Sequence, residues 1–319
     1  MAANEDDPPG IEVDSDATKY DDDSGIGSDA ESSTMSMRES VYQYIEENGR
    51  RYHAFNAGKY SMPNDTAEQE RLDLQHQLFL LSMEGQLHLA PIKNGLHNVL
   101  DMGTGTGLWA IDFATEYPSA NVIGTDLSPI QKPYVPPNCS FEVSDVEESW
   151  TYSKEFDYIH GRALVACFRD PSTVVRSAFE ALAPGGYFEV QEFIMPLGCI
   201  DSTMDGTALQ QWNANMCQAA DVLGRPLTNG KNYARYLHEA GFVDVVEKHQ
   251  YWPLNPWARG KKEKVLGMWT QQDMLDGLDG VSTALFVRGL NWTKEQVDVF
   301  LERVRKDVKN TDIHAYVDL

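Results

Sequence analysis

Short apolar runs alternate with amphipathic stretches between residues 98 and 192, and this alternation predicts a parallel sheet covered by helices. Asn98–Asp101 closes a first strand, and 107–116 follows as a helix that begins Leu108-Trp109-Ala110-Ile111. Asn121–Asp126 reads as a second strand, Ser140–Val143 as a third ending near Asp145, and Phe156–His160 as a fourth. A helix over 172–182, the turn Pro184-Gly185-Gly186 and a fifth strand, Gly186–Glu192, complete the series. Such alternation builds an α/β fold with helices on both faces of the sheet.

The flanks carry a different pattern. From about 40 to 95 the chain reads as helical, with a turn-rich loop at Gly58–Asp65. Thr66 is placed to cap a helix, with Gln69 three residues on, and Leu74, Leu78, Leu81 and Gly85 fall near one face. An insertion from 195 to about 230 contains a helix on which Trp212, Met216, Ala220 and Leu223 share a side, a stripe that is more often core than ligand site. A helix at 231–240, a strand at 243–251 and two amphipathic helices within 261–309 follow. The expected divisions are a disordered acidic tail over 1–38, a helical extension over 39–95 and the main domain over 96–319.

Charge narrows the partners. The 319 residues carry 26 basic and 49 acidic side chains, a net charge of −23, and the first forty residues hold twelve acids against two bases. An acidic body is a poor match for phosphate backbones, so no direct nucleic-acid contact is expected. The tail is too polar to bury surface that would offset its chain entropy. Within it, Ser24 and Ser28 sit in Asp23-Ser24-Gly25-Ile26-Gly27-Ser28, flanked by Asp29 and Glu31, which suits either an acid-directed phosphodegron or a solvated tail. The four cysteines show no metal-ligand or paired spacing. No apolar leader and no run near the ~20 apolar residues of a membrane helix is present. The expectation is a cytoplasmic or nuclear protein, not secreted and not membrane-bound.

The chemistry concentrates in Val99-Leu100-Asp101-Met102-Gly103-Thr104-Gly105-Thr106-Gly107. Strand, glycine turn and helix bring backbone close to a nucleotide-like ligand. A dinucleotide fingerprint needs its third glycine three residues after the second, where this chain has Leu108. The observed spacing, with an acid two residues before Gly103, is that of S-adenosylmethionine binding. The glycines let backbone approach the ligand, and Asp101 is placed to orient the site or receive the ammonium. Asp126, 19 residues after Gly107, is positioned for ribose hydroxyls, and Asp145 with Val146 for adenine. Each carboxylate could instead cap a turn. His160, in His160-Gly161-Arg162 after the fourth strand, is either a general base or a hydrogen-bonded wall. Methyl transfer from a sulfonium needs little beyond in-line placement of the acceptor, and no metal.

Together these residues resemble the class I S-adenosylmethionine-dependent methyltransferases, with their Rossmann-like sheet. More narrowly, the chain resembles the LaeA-like group of filamentous fungi from about Tyr42 to Tyr316. That likeness is carried by Gly49-Arg50-Arg51-Tyr52-His53, Gly58-Lys59-Tyr60, Pro63-Asn64-Asp65, Arg71-Leu72-Asp73-Leu74-Gln75-His76, Ile159-His160-Gly161-Arg162, Trp252-Pro253-Leu254-Asn255-Pro256-Trp257 and Ile313-His314-Ala315-Tyr316. The resemblance implies that Tyr60, His76 and Arg162 also line the cofactor pocket. It implies one of two roles: methylation of a small-molecule intermediate in fungal secondary metabolism, or nuclear regulation of secondary-metabolite gene clusters through velvet-type protein partners. The helical extension, the insertion and the Trp252–Trp257 loop would then form a lid over an apolar acceptor. Members of the group continue past the His-Ala-Tyr segment into a last strand of a seven-stranded sheet; here Val317-Asp318-Leu319 leaves room for a stub, or for a shortened gene product.

Overall fold

The computed structural model describes residues 11–12, 43–55, 58–93 and 95–319. The Ser24 and Ser28 segment and nearly all of the acidic tail lie outside the described residues. Asn48 and Gly49, both at positive φ (53° and 76°), form a two-residue turn that joins β1 (Tyr44–Glu47) to β2 (Arg50–His53) in an antiparallel hairpin. The region expected to be helical from residue 40 therefore opens as strands. Asn-Gly is the favoured hairpin dipeptide, because its left-handed backbone matches strand twist.

Helix α1 (Thr66–Ser82) is capped by Asp65, not by Thr66: the Asp65 carboxylate accepts from the Glu68 amide at 3.1 Å. Asp65 is held for this role by Arg50, whose Nε donates to it at 2.6 Å. Of the expected apolar stripe on α1, Leu78 is fully buried, whereas Leu74 and Leu81 are only partly so. The inward face is largely polar and carries Glu68, Arg71, Gln75 and His76.

The central sheet follows the sequence expectation. It comprises β3 (Asn98–Met102), β4 (Asn121–Asp126), β5 (Cys139–Val143), β6 (Phe156–Arg162) and β7 (Leu182–Gln191), all parallel in the order β5-β4-β3-β6-β7. Alternation along β3 separates the two cores. Val99 packs with Val122 and Tyr158 beneath α2 (Leu108–Glu116), whereas Leu100 and Met102 pack with Ile159 beneath α3 (Pro171–Ala181).

Beyond β7 the chain builds a second layer. It contains β8 (Ile194–Cys199), α4 (Ala208–Val222), β9 (Tyr251–Pro253), α6 (Lys261–Leu290), α7 (Lys294–Val308) and β10 (Ala315–Asp318), whereas α5 (Tyr233–Ala240) returns to pack against α3. Trp212, Met216 and Ala220 are buried in the α4–α6–α7 core, with Leu223 partly so, but Trp212 and Met216 also face a cavity, so the stripe is both core and cavity wall. The expected strand at 243–251 shrinks to β9, because 243–250 is irregular and leaves Val243 82% and Val246 74% exposed. The last residues do not extend the central sheet. They form β10, the middle strand of a separate antiparallel sheet ordered β8-β10-β9. The Trp252–Trp257 segment anchors it: Trp257 Nε1 donates to the Ala315 carbonyl at 2.7 Å, and Trp252 packs edge-on against Phe79.

Helix α6 contains four glycines, each at a close crossing. Gly267 lies against the Asn255 carbonyl, Gly277 against the Arg71 stem, Gly280 against Arg50 and Pro63, and Gly289 against the Ala219 backbone. Among the described residues no helix is long and apolar enough to cross a membrane.

Candidate functional site

The carboxyl ends of β3, β4 and β6 converge on a cavity of about 260 Å³, where an open parallel sheet places its ligands. Gly103 and Gly105 line it at positive φ, 64° and 57°. A methyl at Gly103 would come within 2.5 Å of Leu164. Gly107 is not in the cavity wall. It precedes α2 in the left-handed region, φ 83°, and a side chain there would strike the Phe141 ring.

Asp126 sits at the end of β4 with both oxygens engaged, accepting from the Gly105 and Ser128 amides at 2.9 Å each. Burial pushes its carboxyl up to about 6, and the charge of Asp101 acts in the same direction. Asp145 and Val146 also line the cavity. The Asp145 carboxylate is ion-paired with Lys59 and accepts from the Glu147 amide at 2.9 Å. Tyr60 completes this side, its phenol held well above its usual range by burial.

Asp101 and His160 are register partners on β3 and β6. His160 Nδ1 lies 2.7 Å from one Asp101 oxygen, and Thr104 Oγ1 donates to the other at 2.6 Å. A carboxylate can only accept, so the shared proton resides on Nδ1. The imidazole has no exposed surface and stacks on Trp109, with centroids 3.7 Å apart and planes within 5°. Its Nε2 has no hydrogen-bond partner among the described residues.

Two residues further along β6, Arg162 extends into the same wall. Its Nη2 donates to His76 Nδ1 at 2.9 Å, and its guanidinium carbon lies 4.7 Å over the Phe79 ring. His76 Nε2 lies 2.9 Å from Asp112. Burial pulls the guanidinium down to about 10, opposed by the charges of Asp101 and Asp112. Thus ten of the eleven candidates named from sequence for the site (His76 and His160 included, Gly107 the exception) line one cavity.

The opposite end is apolar and comes from the second layer. Met195 and Leu197 of β8, Trp212 and Met216 of α4, and Met274 and Val281 of α6 form it. Between the two ends, Arg71 bridges α1 to α6, with Nη2 2.6 Å from Glu68 and Nη1 3.0 Å from Asp273. Sequence reasoning had assigned no site role to Trp109, to Arg71 or to α6. The available signal for α6 was its interior glycines, which cost helix stability and mark close approach.

Residues 74–247 match the family model described as a methyltransferase domain. Methyltransferase pytC of Aspergillus terreus is 34% identical over 314 residues, covering 98% of this chain and 94% of that protein. The secondary metabolism regulator laeA of Aspergillus flavus is 35% identical, covering 91% of this chain and 79% of that protein. The protein-methionine methyltransferase laeA of Emericella nidulans is likewise 35% identical, covering 91% and 78%. The chain belongs to the S-adenosylmethionine-dependent methyltransferases, in the family that includes these fungal proteins.

Proposed function

We propose that this methyltransferase acts on a small apolar molecule, an intermediate of fungal secondary metabolism, bound at the second-layer end of the cavity. The observation that carries this is the two-ended lining: polar strand ends on one side, and Met195, Leu197, Trp212 and Met216 on the other. The residues present suit S-adenosylmethionine. Gly103, at φ 64°, presents bare backbone to the cavity and a methyl there would crowd the Leu164 side chain, and Arg162 Nη1 is buried without a partner among the described residues. The cofactor supplies a methyl group made electrophilic by its sulfonium. In this proposal Gly103 and Gly105 offer backbone contact, and Asp126 uses its remaining lone pairs for the ribose hydroxyls. Asp145, Val146 and Tyr60 border the adenine. Lys59 would share Asp145 with that base or swing away from it. His160 belongs to the wall: its buried ring holds Asp101 in place and does not meet the acceptor. Catalysis then rests on placement and exclusion of water.

Calorimetry with S-adenosylmethionine tests the cofactor side, and Asp126→Ala should abolish measurable binding while the fold is retained. A deletion strain tests the acceptor side: one compound should appear a single methyl lighter. A second reading, regulation through velvet-type protein partners, is favoured by the likeness to relatives described as secondary metabolism regulators. It requires altered transcripts across many gene clusters with no lighter compound.

A further inference from the structure

We infer that the methyl acceptor carries a basic nitrogen on its otherwise apolar frame, and that Asp273 binds this nitrogen as an ammonium while Arg71 and Gln75 fix the carboxylate. This rests on the proposed acceptor site at the second-layer end of the cavity and deepens it. The anchor sets the pose of the acceptor and takes no part in bond making.

Asp273 stands where the polar and apolar walls meet. It shares the cavity face of α6 with Met274, Gly277 and Val281, and Met274 and Val281 belong to the apolar end. Residues four positions apart lie on one face of a helix. Helix α1 lies opposite, with Glu68, Arg71 and Gln75 lining the cavity. Gly277 lets the two helices close, because its missing side chain makes room for the Arg71 stem.

Arg71 does not serve its two carboxylates equally. Its Nε and Nη2 donate to the two oxygens of Glu68, at 3.0 and 2.6 Å, as a bidentate pair. Only Nη1 reaches Asp273, at 3.0 Å. The other side chain that donates to Asp273 is the neutral amide of Gln75. Among the described residues no second cation lies within ion-pair distance of it. Burial pushes the Asp273 carboxyl up, Arg71 opposes this, and the charge of Glu68 adds to it. One guanidinium thus answers two carboxylates, and a buried carboxylate short of a cation is costly to hold ionised. Two donors leave Asp273 with lone pairs for a ligand.

The charge of the whole wall points the same way. Among the described residues its acids are Glu68, Asp101, Asp126, Asp145, Glu147 and Asp273. Four cations stand against these six: Arg71 and Arg162 in the wall, Lys59 on Asp145 and Arg225 on Glu147. With the histidines neutral, two negative charges remain. The cofactor, a sulfonium with a zwitterionic end, carries one positive charge and leaves one negative charge unanswered. Asp273 is the acid that sits beside the apolar wall. An ammonium on the acceptor balances it, whereas a hydroxyl does not.

The test uses the full-length chain saturated with S-adenosylhomocysteine and two probes of one shape, 4-phenylbutylamine and 4-phenylbutanol. Both are titrated by calorimetry at about pH 7.5, where the amine is protonated. The amine should bind about 10- to 30-fold tighter than the alcohol, the scale of a charged hydrogen bond. Asp273→Asn keeps an oxygen for Arg71 Nη1 but removes the charge. It should weaken the amine about tenfold and leave the alcohol within about threefold, whereas a merely structural role would weaken both alike. The deletion strain gives a reading that needs no variant: the compound one methyl lighter should be retained by a cation exchanger. Equal affinities on the unaltered chain, equal losses in the variant, or a lighter compound without a basic nitrogen would overturn the inference. An amine preference that survives Asp273→Asn would overturn it too, by tracing the preference to the net charge of −23. Failure of both probes to bind, with S-adenosylhomocysteine bound, would instead overturn the acceptor site on which the inference rests.

Discussion

Replacing Gly277 with alanine should destabilise the protein, although alanine is the better helix former. The substitution lies inside α6, where alanine over glycine is worth about 1 kcal/mol. Against this, the new methyl would sit 2.7 Å from Arg71 Cδ. Carbon contacts relax near ~3.5–4.0 Å, so the arginine stem must retreat by about 1 Å. It has no free direction, because its head is bound to Glu68 at 2.6 Å and to Asp273 at 3.0 Å. Overpacking costs about 1–3 kcal/mol, and losing a buried ion pair about 3–5 kcal/mol. The net expectation for Gly277→Ala is a loss of about 1–3 kcal/mol, read from urea unfolding followed by circular dichroism. With Arg71 already replaced by alanine, the obstacle is gone and the same change should stabilise by about 1 kcal/mol. A Gly277→Ala effect of the same sign in both backgrounds would refute the reasoning.

Three further outcomes follow from the site and its supports. S-adenosylmethionine affinity should rise about tenfold between pH 5 and pH 7, because the Asp126 carboxyl, raised to about 6, must be ionised to accept ribose hydroxyls; a flat calorimetric profile would exclude that role. Glu192 is pushed up to about 8 by burial, so the folded state holds a proton that the unfolded chain releases near its ordinary 4.5. Stability is therefore lost as pH rises between those values, and Glu192→Gln should flatten the fall in melting temperature from pH 5 to pH 8. Asp65→Ala should cost about 1–2 kcal/mol and Thr66→Ala under about 0.5 kcal/mol in thermal unfolding, and the reverse order would return the helix cap to Thr66.

The polar end of the cavity was legible because its residues follow directly from strand ends. Parallel strands buried on both faces appear as short apolar runs, and the residue after each run faces the crevice. Asp101, Asp126, Asp145 and His160 could be placed this way. Gly107 shared their motif but serves the packing of Phe141, a neighbour known only once β5 lies beside β4. The hairpin at 44–53 was missed although Asn48-Gly49 marks it, because its strands are short and largely charged. The Val243–Val246 stretch carries β-branched residues yet remains irregular, since a strand also needs a partner edge. The apolar wall could not be assembled from local pattern, because Met195, Trp212 and Met274 meet only through tertiary packing. Nor does sequence spacing reveal that Lys59 occupies Asp145, a pairing across 86 positions.

The glycines of α6 also bear on how the molecule assembles. Each costs an isolated helix about 1 kcal/mol relative to alanine, and four of them leave α6 a poor helix until its neighbours arrive. Those neighbours, around Arg50, Arg71, Ala219 and Asn255, are spread over some 200 positions of sequence. Contacts of such span close slowly, so α6 should dock late in folding, after the local βαβ units of the central sheet. Its first opening fluctuations should run in reverse, unseating the wall that carries Met274 and Val281 while the glycine turn stays formed. Amide exchange along α6 would then report traffic at the apolar mouth of the cavity, and exchange along β3 would report global unfolding.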